Sequence, residues 1–211
     1  MATDLVRSLQ PQLFYSEFLK KGVRPDGRSL RALRPAKVTK NVFSQPDGSA
    51  SVRYGNTRFA VGVRAEVGSS LWESSNRIVV ECEFSSMCSS IFSEHHKAKL
   101  QESYLAESLG EVLNSPSVVD NSQFKISDDN SWVLYLEVVC LEYDGNAFDP
   151  ALMACVAALQ STVLPNLVFN ETSAQFEVQN DSDKKNVVMR QQIGMIIKLI
   201  LKQLMWKFLN K

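Results

Sequence analysis

The sequence has few of the residues that build metal centres and disulfide frameworks. It contains four cysteines and two histidines among 211 residues, and no two cysteines form a C-x-x-C pair. His95 and His96 follow Cys82 and Cys88 at a spacing that suits one metal ion poorly, because adjacent histidines rarely point at the same ion. We therefore expect no metal site and no cofactor, and we interpret the thiols as small core residues of a reduced intracellular protein.

A net charge of either sign is also absent, since 23 lysines and arginines balance 23 aspartates and glutamates. A domain that binds nucleic acid alone usually carries a basic excess, so independent high-affinity binding of RNA or DNA is disfavoured. The first ten residues (MATDLVRSLQ) lack the apolar core of a signal peptide, and no period indicates a repeat protein. With 45% hydrophobic residues, the chain can nevertheless bury a sizeable core.

The apolar patterning indicates an α+β fold, in which helices pack against one face of a mixed sheet. Residues 12–21 have the spacing of a short amphipathic helix, and Ser93 begins a second helix that runs to about Asn114. Asp149 and Pro150, a cap followed by a proline, predict the start of a third helix.

Alternating apolar residues predict the strands of the sheet and one tight turn between them. The predicted strands are residues 36–43, 49–54, 58–67 and 77–84, with Gly55-Asn56 as a hairpin turn. Residues 132–142 are apolar on both faces, which predicts a central strand covered on both sides. Residues 167–169 and 174–178 are expected to form one further short hairpin.

Several motifs resemble a known family. GVRPDGR at 22–28, followed by DGSASVRYGNTRFAVGVRAEV at 47–67, resembles the opening of RNase PH-like proteins. SMCSSIF at 86–92 and WVLYLEVVCLEYDGNAFDPALMACVAALQSTVLPNLVFNE at 132–171 are similar to one branch, the RNase PH-like ring subunits of the eukaryotic RNA exosome. The resemblance covers roughly residues 13–178, most of the chain.

The resemblance implies a fold, a function and a set of partners. The fold is the RNase PH fold, related to domain 2 of ribosomal protein S5, with an incomplete C-terminal part in this chain. The implied role is that of a ring subunit supporting 3′-to-5′ RNA processing and degradation, including rRNA processing and mRNA decay. The implied partners are other RNase PH-like subunits in a hetero-oligomeric ring, S1/KH-type cap subunits, and single-stranded RNA in the channel. No membrane is expected, and the implied localisation is nucleus, nucleolus and cytoplasm.

The sequence departs from the active members of the family where phosphate should bind. Phosphorolysis needs cations to hold phosphate and RNA, and the resemblance places clustered arginines before and along the second helix. Here that stretch has no arginine, and its only cations, Lys97 and Lys99, cannot form the bidentate fork that suits phosphate. We predict an inactive RNase PH-like subunit with no catalytic residue; the alternative is a phosphate-dependent 3′-to-5′ exoribonuclease.

Two pairs of aspartates are candidate acids, and we interpret both pairs as structural. The catalytic aspartates of active relatives lie on a downstream strand that has no counterpart here. Asp181 and Asp183 instead fall in the polar stretch NDSDKKN, which is typical of a solvated loop. Asp144 lies in a turn and Asp149 at a helix start, which explains both residues without chemistry.

The sequence does not identify the RNA-binding residues. Arg53, Arg58 and Arg64 lie in the strands of the first predicted hairpin, and Lys97 and Lys99 lie near the start of the second helix. Taken singly, each is interpreted as a solvated surface charge. Only the assembled ring would concentrate such cations near a strand of RNA.

We divide the chain into an N-terminal arm (1–22), an RNase PH-like domain (23–180) and an atypical basic amphipathic tail (181–211). From Lys184 onward the sequence has seven cations and no carboxylate. Lysines at 198, 202 and 207 interrupt the apolar run, which disfavours a transmembrane anchor. The tail is then either a basic amphipathic module for a membrane surface or a partner, or the last helix of a truncated or alternatively spliced product that packs on the open sheet. Its apolar residues recur at helical spacing: Ile193, Ile196, Ile197, Ile200, Leu204 and Phe208.

Overall fold

A computed structural model describes residue 6 and residues 9–69, 77–93, 95–127, 129–170, 175–178 and 185–187. The chain divides into two compact units, residues 1–35 and residues 36–211. Of the predicted tail, only residues 185–187 are among those described, and Asp181 and Asp183 lie outside them.

The first unit contains helix α1 (Pro11–Lys20) and the turn that follows it. Proline at the first helical position suits the helix start, because its missing N–H has no partner there in any helix. The helix is followed by Gly22 in the left-handed conformation at φ 68°, so the predicted helix and its glycine stop are confirmed. Its apolar side chains are not buried: Leu13 and Leu19 are exposed, and Phe14 packs against Phe18 and Tyr15, with ring centroids 5.0 and 5.3 Å apart.

The second unit is built on a five-stranded mixed sheet in the order β1-β2-β3-β5-β4. Its strands are β1 (Ala36–Lys40), β2 (Gly48–Tyr54), β3 (Thr57–Ser69), β4 (Ile78–Phe84) and β5 (Asn130–Glu142). Neighbouring strands are antiparallel except β4 and β5, which are parallel. The predicted turn at Gly55-Asn56 joins β2 to β3, with Tyr54 paired to Thr57.

Helices α2 (His95–Leu113) and α3 (Phe148–Ser161) cover one face of this sheet. The core between them takes alternate residues of every inner strand, such as Val61 of β3 and Leu136 of β5, both fully buried. Cys88, Cys140 and Cys155 are buried in this core and Cys82 packs against it, so the predicted role of the thiols is confirmed.

Strand β5 corrects one expectation. It lies inside the sheet as predicted, between β3 and β4, but it is covered on one face only. Leu134 and Leu136 are fully buried, whereas Glu137 and Leu141 on the other side are exposed. Apolar residues at Tyr135, Val139 and Leu141 imitate the pattern of a strand buried on both faces. Among the described residues of the second unit no helix lies on this side of the sheet, which we call the open face.

Three element boundaries also differ from the prediction. Helix α2 begins at His95, because Ser93, the predicted cap, closes a short 3-10 turn instead. Strand β1 ends at Lys40 rather than residue 43, because Asn41 adopts a left-handed conformation at φ 54°. Helix α3 begins at Phe148, so Asp149 lies in its first turn rather than at the cap. The Asn146 side chain takes the capping role: its Oδ1 accepts from the Asp149 N–H, and its Nδ2 donates to Asp149 Oδ2.

Two small antiparallel pairs follow α3. The hairpin predicted near residues 167–178 is confirmed as β7 (Leu167–Asn170) with β8 (Gln175–Val178). The second pair, β6 (Val163–Leu164) with β9 (Lys185–Asn186), joins segments about twenty residues apart and was not predicted. Strands of two residues carry no periodicity for a sequence to display.

Candidate nucleic-acid interface

The glycine of the DGS motif lets the sheet approach helix α3 closely. A Cβ atom at Gly48 would overlap Thr162 Oγ1 and would lie 2.7 Å from the carbonyl oxygen of Ala158. The next residue, Ser49, donates its N–H to Ser161 Oγ, and that hydroxyl donates back to the Ser49 carbonyl oxygen or to that of Ala158. The motif therefore fixes the end of α3 to the start of β2.

The GNT motif binds a second turn of the domain. The buried Thr57 hydroxyl donates to the Gly145 carbonyl oxygen at 2.8 Å and accepts from the Asp144 N–H at 3.0 Å. Asn56 Nδ2 adds a bond to Asp144 Oδ2 at 3.2 Å. The motif at 55–57 and the turn at 143–146 thus form one clamp, and Asp144 has a structural role, as the sequence suggested.

The RPDGR motif forms a self-contained turn in the first unit. The Arg28 guanidinium binds the Asp26 carboxylate at 2.6 Å, and Gly27 adopts a left-handed φ of 83°. The hydrogen bonds from Arg28 hold the pKa of Asp26 below its ordinary value. Arg24 donates to the Leu30 carbonyl oxygen, which ties the end of the turn to its start.

Three cations lie side by side on the open face, across β1, β2 and β3. Lys37 pairs with Arg53, and Arg53 pairs with Arg58, so their side chains share one face in a row that we call the cation row. Like charges directly opposite one another destabilise a sheet, so packing alone does not favour this arrangement. The row surrounds a concavity of about 260 Å³ whose wall also includes Thr39 and Ser51.

The partners of the cation row leave much of its charge available. Arg53 donates to the Gly55 carbonyl oxygen and lies 3.7 Å from the Glu142 carboxylate. Arg58 Nε lies 3.5 Å from Ser51 Oγ, and no ion pair of Lys37 or Arg58 occurs within the described part of the chain. Lys37 and Arg53 are exposed and Arg58 is half-buried, and three cations gathered on one face suit a phosphate group of a nucleic-acid backbone.

Among the predicted cations whose side chains the structure describes, it brings together Arg53 and Arg58. Arg64 lies further along the open face, where it pairs with Glu66 at 3.2 Å and stands over the Tyr135 ring. Lys99 is on α2, on the other side of the sheet, and the side chain of Lys97 is outside the described residues. Sequence reasoning missed Lys37, although its alternation with Val38 in β1 could have placed it on the same face as Arg53.

The carboxylates of helix α2 do not gather around a reacting centre. Glu102 Oε1 accepts the N–H of Phe84, which covers one backbone group at the free edge of β4. Asn114 covers the other end of that edge through both the N–H and the carbonyl of Ile78. Glu107 and Glu111 are exposed, and the side chain of Glu94 is outside the described residues.

The thiols of the core are held in their protonated form. Burial raises the pKa of Cys82 to about 12, and burial raises the pKa values of Cys140 and Cys155 above their ordinary range. A thiolate is the form that attacks substrates and binds metals, so these thiols are inert in the fold. Within the described residues no group of His, Cys, Asp and Glu could hold a metal ion, and no helix is long and apolar enough to span a membrane.

Comparison with known proteins gives matches of family, relatives and fold. Residues 32–165 match the family described as the 3′ exoribonuclease family, domain 1, or RNase PH. The chain is similar to the exosome complex component rrp43 of Schizosaccharomyces pombe, with 33% identity over 171 residues that are 80% of this chain and 63% of the relative. It is also similar to the exosome complex component Rrp42 of Aeropyrum pernix, with 30% identity over 161 residues, 75% of this chain and 58% of that relative.

Solved structures share the fold of this chain. A chain of the Archaeoglobus fulgidus exosome with RNA bound to the active site superposes with a TM-score of 0.70 at 23% identity, over 90% of this chain and 69% of that one. A chain of an archaeal exosome core gives a TM-score of 0.65 at 22% identity, over 90% and 67%. The sequence relatives are longer, since the matched segments span about three fifths of their length.

Proposed function

Because this chain belongs to the RNase PH family of 3′ exoribonuclease domains, we propose that it is a non-catalytic structural subunit of an exosome-type core ring. Its task would be to supply wall and interfaces for 3′-to-5′ RNA processing and degradation, including rRNA processing and mRNA decay. The observation that carries this proposal is the family match over 32–165, together with two relatives named as exosome components.

The proposed partners follow from the same likeness. They are other RNase PH-like subunits, with which the chain would close a hetero-oligomeric ring, and cap subunits of the S1/KH type. Single-stranded RNA would pass through the assembled channel, and the proposed localisation is nucleus, nucleolus and cytoplasm. The cation row supports contact with RNA, because Lys37, Arg53 and Arg58 present positive charge side by side, as contact with a phosphate backbone requires.

Two features support the absence of catalysis. Helix α2 has lysines where active family members would carry the arginines that hold phosphate. Along the helix Lys99 is followed by three carboxylates, Glu102, Glu107 and Glu111, and by no further cation. The aspartates that invite a catalytic interpretation, Asp144 and Asp149, are engaged with Asn56 and Asn146.

Assembly is tested by native mass spectrometry of the full chain, tagged at its N-terminus and gently purified from its own cells. We expect recovery in stoichiometric amounts with other RNase PH-like and S1/KH-type subunits. Recovery alone or only with chaperones would contradict the ring role for this chain. A tag at the N-terminus leaves residues 181–211 unaltered, so their effect on assembly is included in the result.

Catalysis is tested with the same purified assembly and a 3′-labelled RNA in the presence of inorganic phosphate. Replacing Lys97 and Lys99 by glutamine in this chain should leave the release of nucleoside diphosphates unchanged. A loss of phosphate-dependent release on that replacement, with assembly intact, would favour the alternative of a phosphate-dependent exoribonuclease.

A further inference from the structure

Arg58 stands at an irregularity in the pairing of β3 with β5. Arg58 pairs with Glu142 and Phe59 pairs with Cys140, so the register shifts between the two residues of β3. A shift of this kind, as in a β-bulge, changes the direction of a side chain and is common beside binding sites. The backbone therefore gives the Arg58 side chain a position on the open face that regular pairing would not give it.

No ion pair neutralises Arg58 within the part of the chain that the structure describes. Glu142 lies opposite Arg58 in register, but its carboxylate is paired with Arg53, at 3.7 Å from Nη2. Arg58 is half-buried, so its guanidinium loses part of its water without gaining an opposite charge. Lys37 and Arg53 add like charge on the neighbouring strands, and Glu142 offsets only one of the three cations. The cluster therefore attracts an anion.

A buried hydroxyl faces the guanidinium of Arg58. Ser51 is 8% exposed, and its Oγ donates to the carbonyl oxygen of Phe59 at 3.2 Å. Because the hydroxyl proton is used in that bond, Ser51 Oγ presents its lone pairs to Arg58 Nε, which lies 3.5 Å away. A guanidinium held at Nε keeps both terminal nitrogens free, and these form the fork that binds a phosphate in a bidentate manner.

The concavity of about 260 Å³ beside the cation row limits the size of the ligand. Thr39 pairs with Ser51 and Lys37 pairs with Arg53, so two hydroxyl residues and two cations lie side by side at its wall. Strands lie about 4.8 Å apart, which lets long side chains from three strands reach one group. Pockets that enclose a drug-sized ligand measure about 300–1,000 Å³, so this smaller concavity suits a single anionic group.

We propose that this concavity binds one phosphodiester group of an RNA strand, with Arg58 as the anchor and Ser51 as the residue that positions its guanidinium. Lys37 and Arg53 supply further positive charge. Every group of the subsite belongs to one chain, so it should bind without the ring. The inference rests on the proposed function only in naming RNA as the source of the phosphate. Contacts to phosphate carry no sequence information, so binding should be independent of the RNA sequence.

Binding of a fluorescent octauridylate to the full chain, without other subunits and at several salt concentrations, tests the anchor. Arg58→Gln should lower the affinity by about tenfold and reduce the slope of log affinity against log salt by about 0.7. Arg64→Gln is the matched control, because Arg64 lies on the same face but outside the concavity and is paired with Glu66. Equal losses in the two variants, or no binding by the parent chain, would overturn the proposal.

The positioning role of Ser51 has a different signature. Ser51→Ala should lower the affinity by about threefold and leave the salt slope unchanged, because the number of cations is the same. The Arg58 Nε–H resonance in nitrogen-15 NMR spectra should move in Ser51→Ala, and Ser51→Thr, which keeps the hydroxyl, should restore both properties. A Ser51→Ala variant that loses stability but keeps the resonance and the affinity would show that Ser51 only supports the fold.

Two further ligands test the chemical class and the link to RNA. Inorganic phosphate should shift the same Arg58 resonance and compete with octauridylate, whereas an acidic peptide of equal charge should bind at least about tenfold more weakly. Equal binding of the peptide would contradict the assignment to phosphate. A subsite that binds inorganic phosphate but no RNA would refute RNA as the ligand. Native mass spectrometry tests the ring without RNA, so failure of the ring and failure of the subsite are distinguishable.

Discussion

On the helix-covered face of strand β5, Leu134 and Leu136 are fully buried, whereas their neighbours Tyr135 and Glu137 on the open face are at least partly exposed. The covered face is chosen by burial of apolar area, which any sequence of this fold must satisfy. The open face is free of that demand, and it carries the cation row. The contrast assigns the stability of the fold to one face and its candidate contacts to the other.

The largest expected effect of this contrast comes from one leucine on each face of β5. Leu136→Ala should lower the free energy of unfolding by about 2–5 kcal/mol, because it removes buried methyl groups and leaves a cavity. Leu141→Ala should cost less than about 1 kcal/mol, because that side chain is 41% exposed. Urea unfolding of the two full-length variants measures both values, and similar losses would contradict the one-sided burial of β5.

A smaller but still large effect is expected at the contact of the sheet with α3. Gly48→Ala should destabilise the protein by about 1–3 kcal/mol, because its Cβ would overlap Thr162 and approach the backbone of Ala158. Gly110→Ala in α2 meets no atom within 4 Å and should stabilise the helix by about 0.5–1 kcal/mol. Thermal unfolding compares them, and a Gly48 variant as stable as the parent would show that β2 and α3 are less tightly joined.

The clamp between the two turns should give an intermediate effect. Thr57→Val keeps the shape of a buried side chain but leaves the Asp144 N–H and the Gly145 carbonyl without their partner. We expect a loss of about 1–3 kcal/mol in the free energy of unfolding. Thr39→Val, on the exposed strand β1, is the control and should change stability by less than about 0.5 kcal/mol. Equal losses of stability in Thr57→Val and Thr39→Val would mean that water takes over the hydrogen bonds of the Thr57 hydroxyl in the clamp.

The covered face was largely predictable from the sequence, and the open face was not. Alternation at Val52, Phe59 and Val61 is a repeated signal with one physical cause, and the strands it predicts are confirmed. Strand β5 was misread because Tyr135 and Val139 add an apolar signal that no covering layer explains. Periodicity reports how apolar a face is and not what lies over it.

The candidate site was predicted in part, for a related reason. Arg53 and Arg58 stand in neighbouring strands of a hairpin whose turn is readable, so their pairing could be inferred. Lys37 joins them only through the register of β1 on β2, across a loop of seven residues, and register is set by packing that a sequence does not display. The division at residues 22 and 180 stays a prediction, as do the roles of Lys97 and of residues 181–184 and 188–211.

The buried thiols of the covered face should make the free energy of unfolding depend on pH in the alkaline range. Burial raises the pKa of Cys82 to about 12 and also that of Cys155, while unfolded thiols titrate near 8.5. As pH rises, the thiols of the unfolded chain therefore lose their protons before those of the folded protein. The contribution of the buried thiols to the free energy of unfolding is fully present below the unfolded pKa and declines as pH rises toward the folded pKa. The decline is up to about 1.4 kcal/mol per pH unit for each thiol that stays protonated in the fold. Urea unfolding between pH 8 and 11 should show this decline, and Cys155→Ala should make it shallower. A flat profile would indicate that the thiols ionise in the folded protein.

The smallest effect on stability is expected in the cation row. There the direction of the change in the free energy of unfolding distinguishes a binding role from a stabilising one. Arg58→Gln removes a repulsion with Arg53 and should change the free energy of unfolding by less than about 0.5 kcal/mol, toward greater stability. If the row binds RNA phosphates in the assembly, the same variant should weaken RNA binding and reduce the slope of log affinity against log salt by about 0.7. Lys40→Gln is the control, because Lys40 lies on the other face of β1 and bonds Gln160. If Arg58 lowers the stability of the fold and raises the affinity for RNA, its role is RNA binding. An unchanged salt slope in Arg58→Gln would indicate instead that the cation row is an ordinary solvated surface.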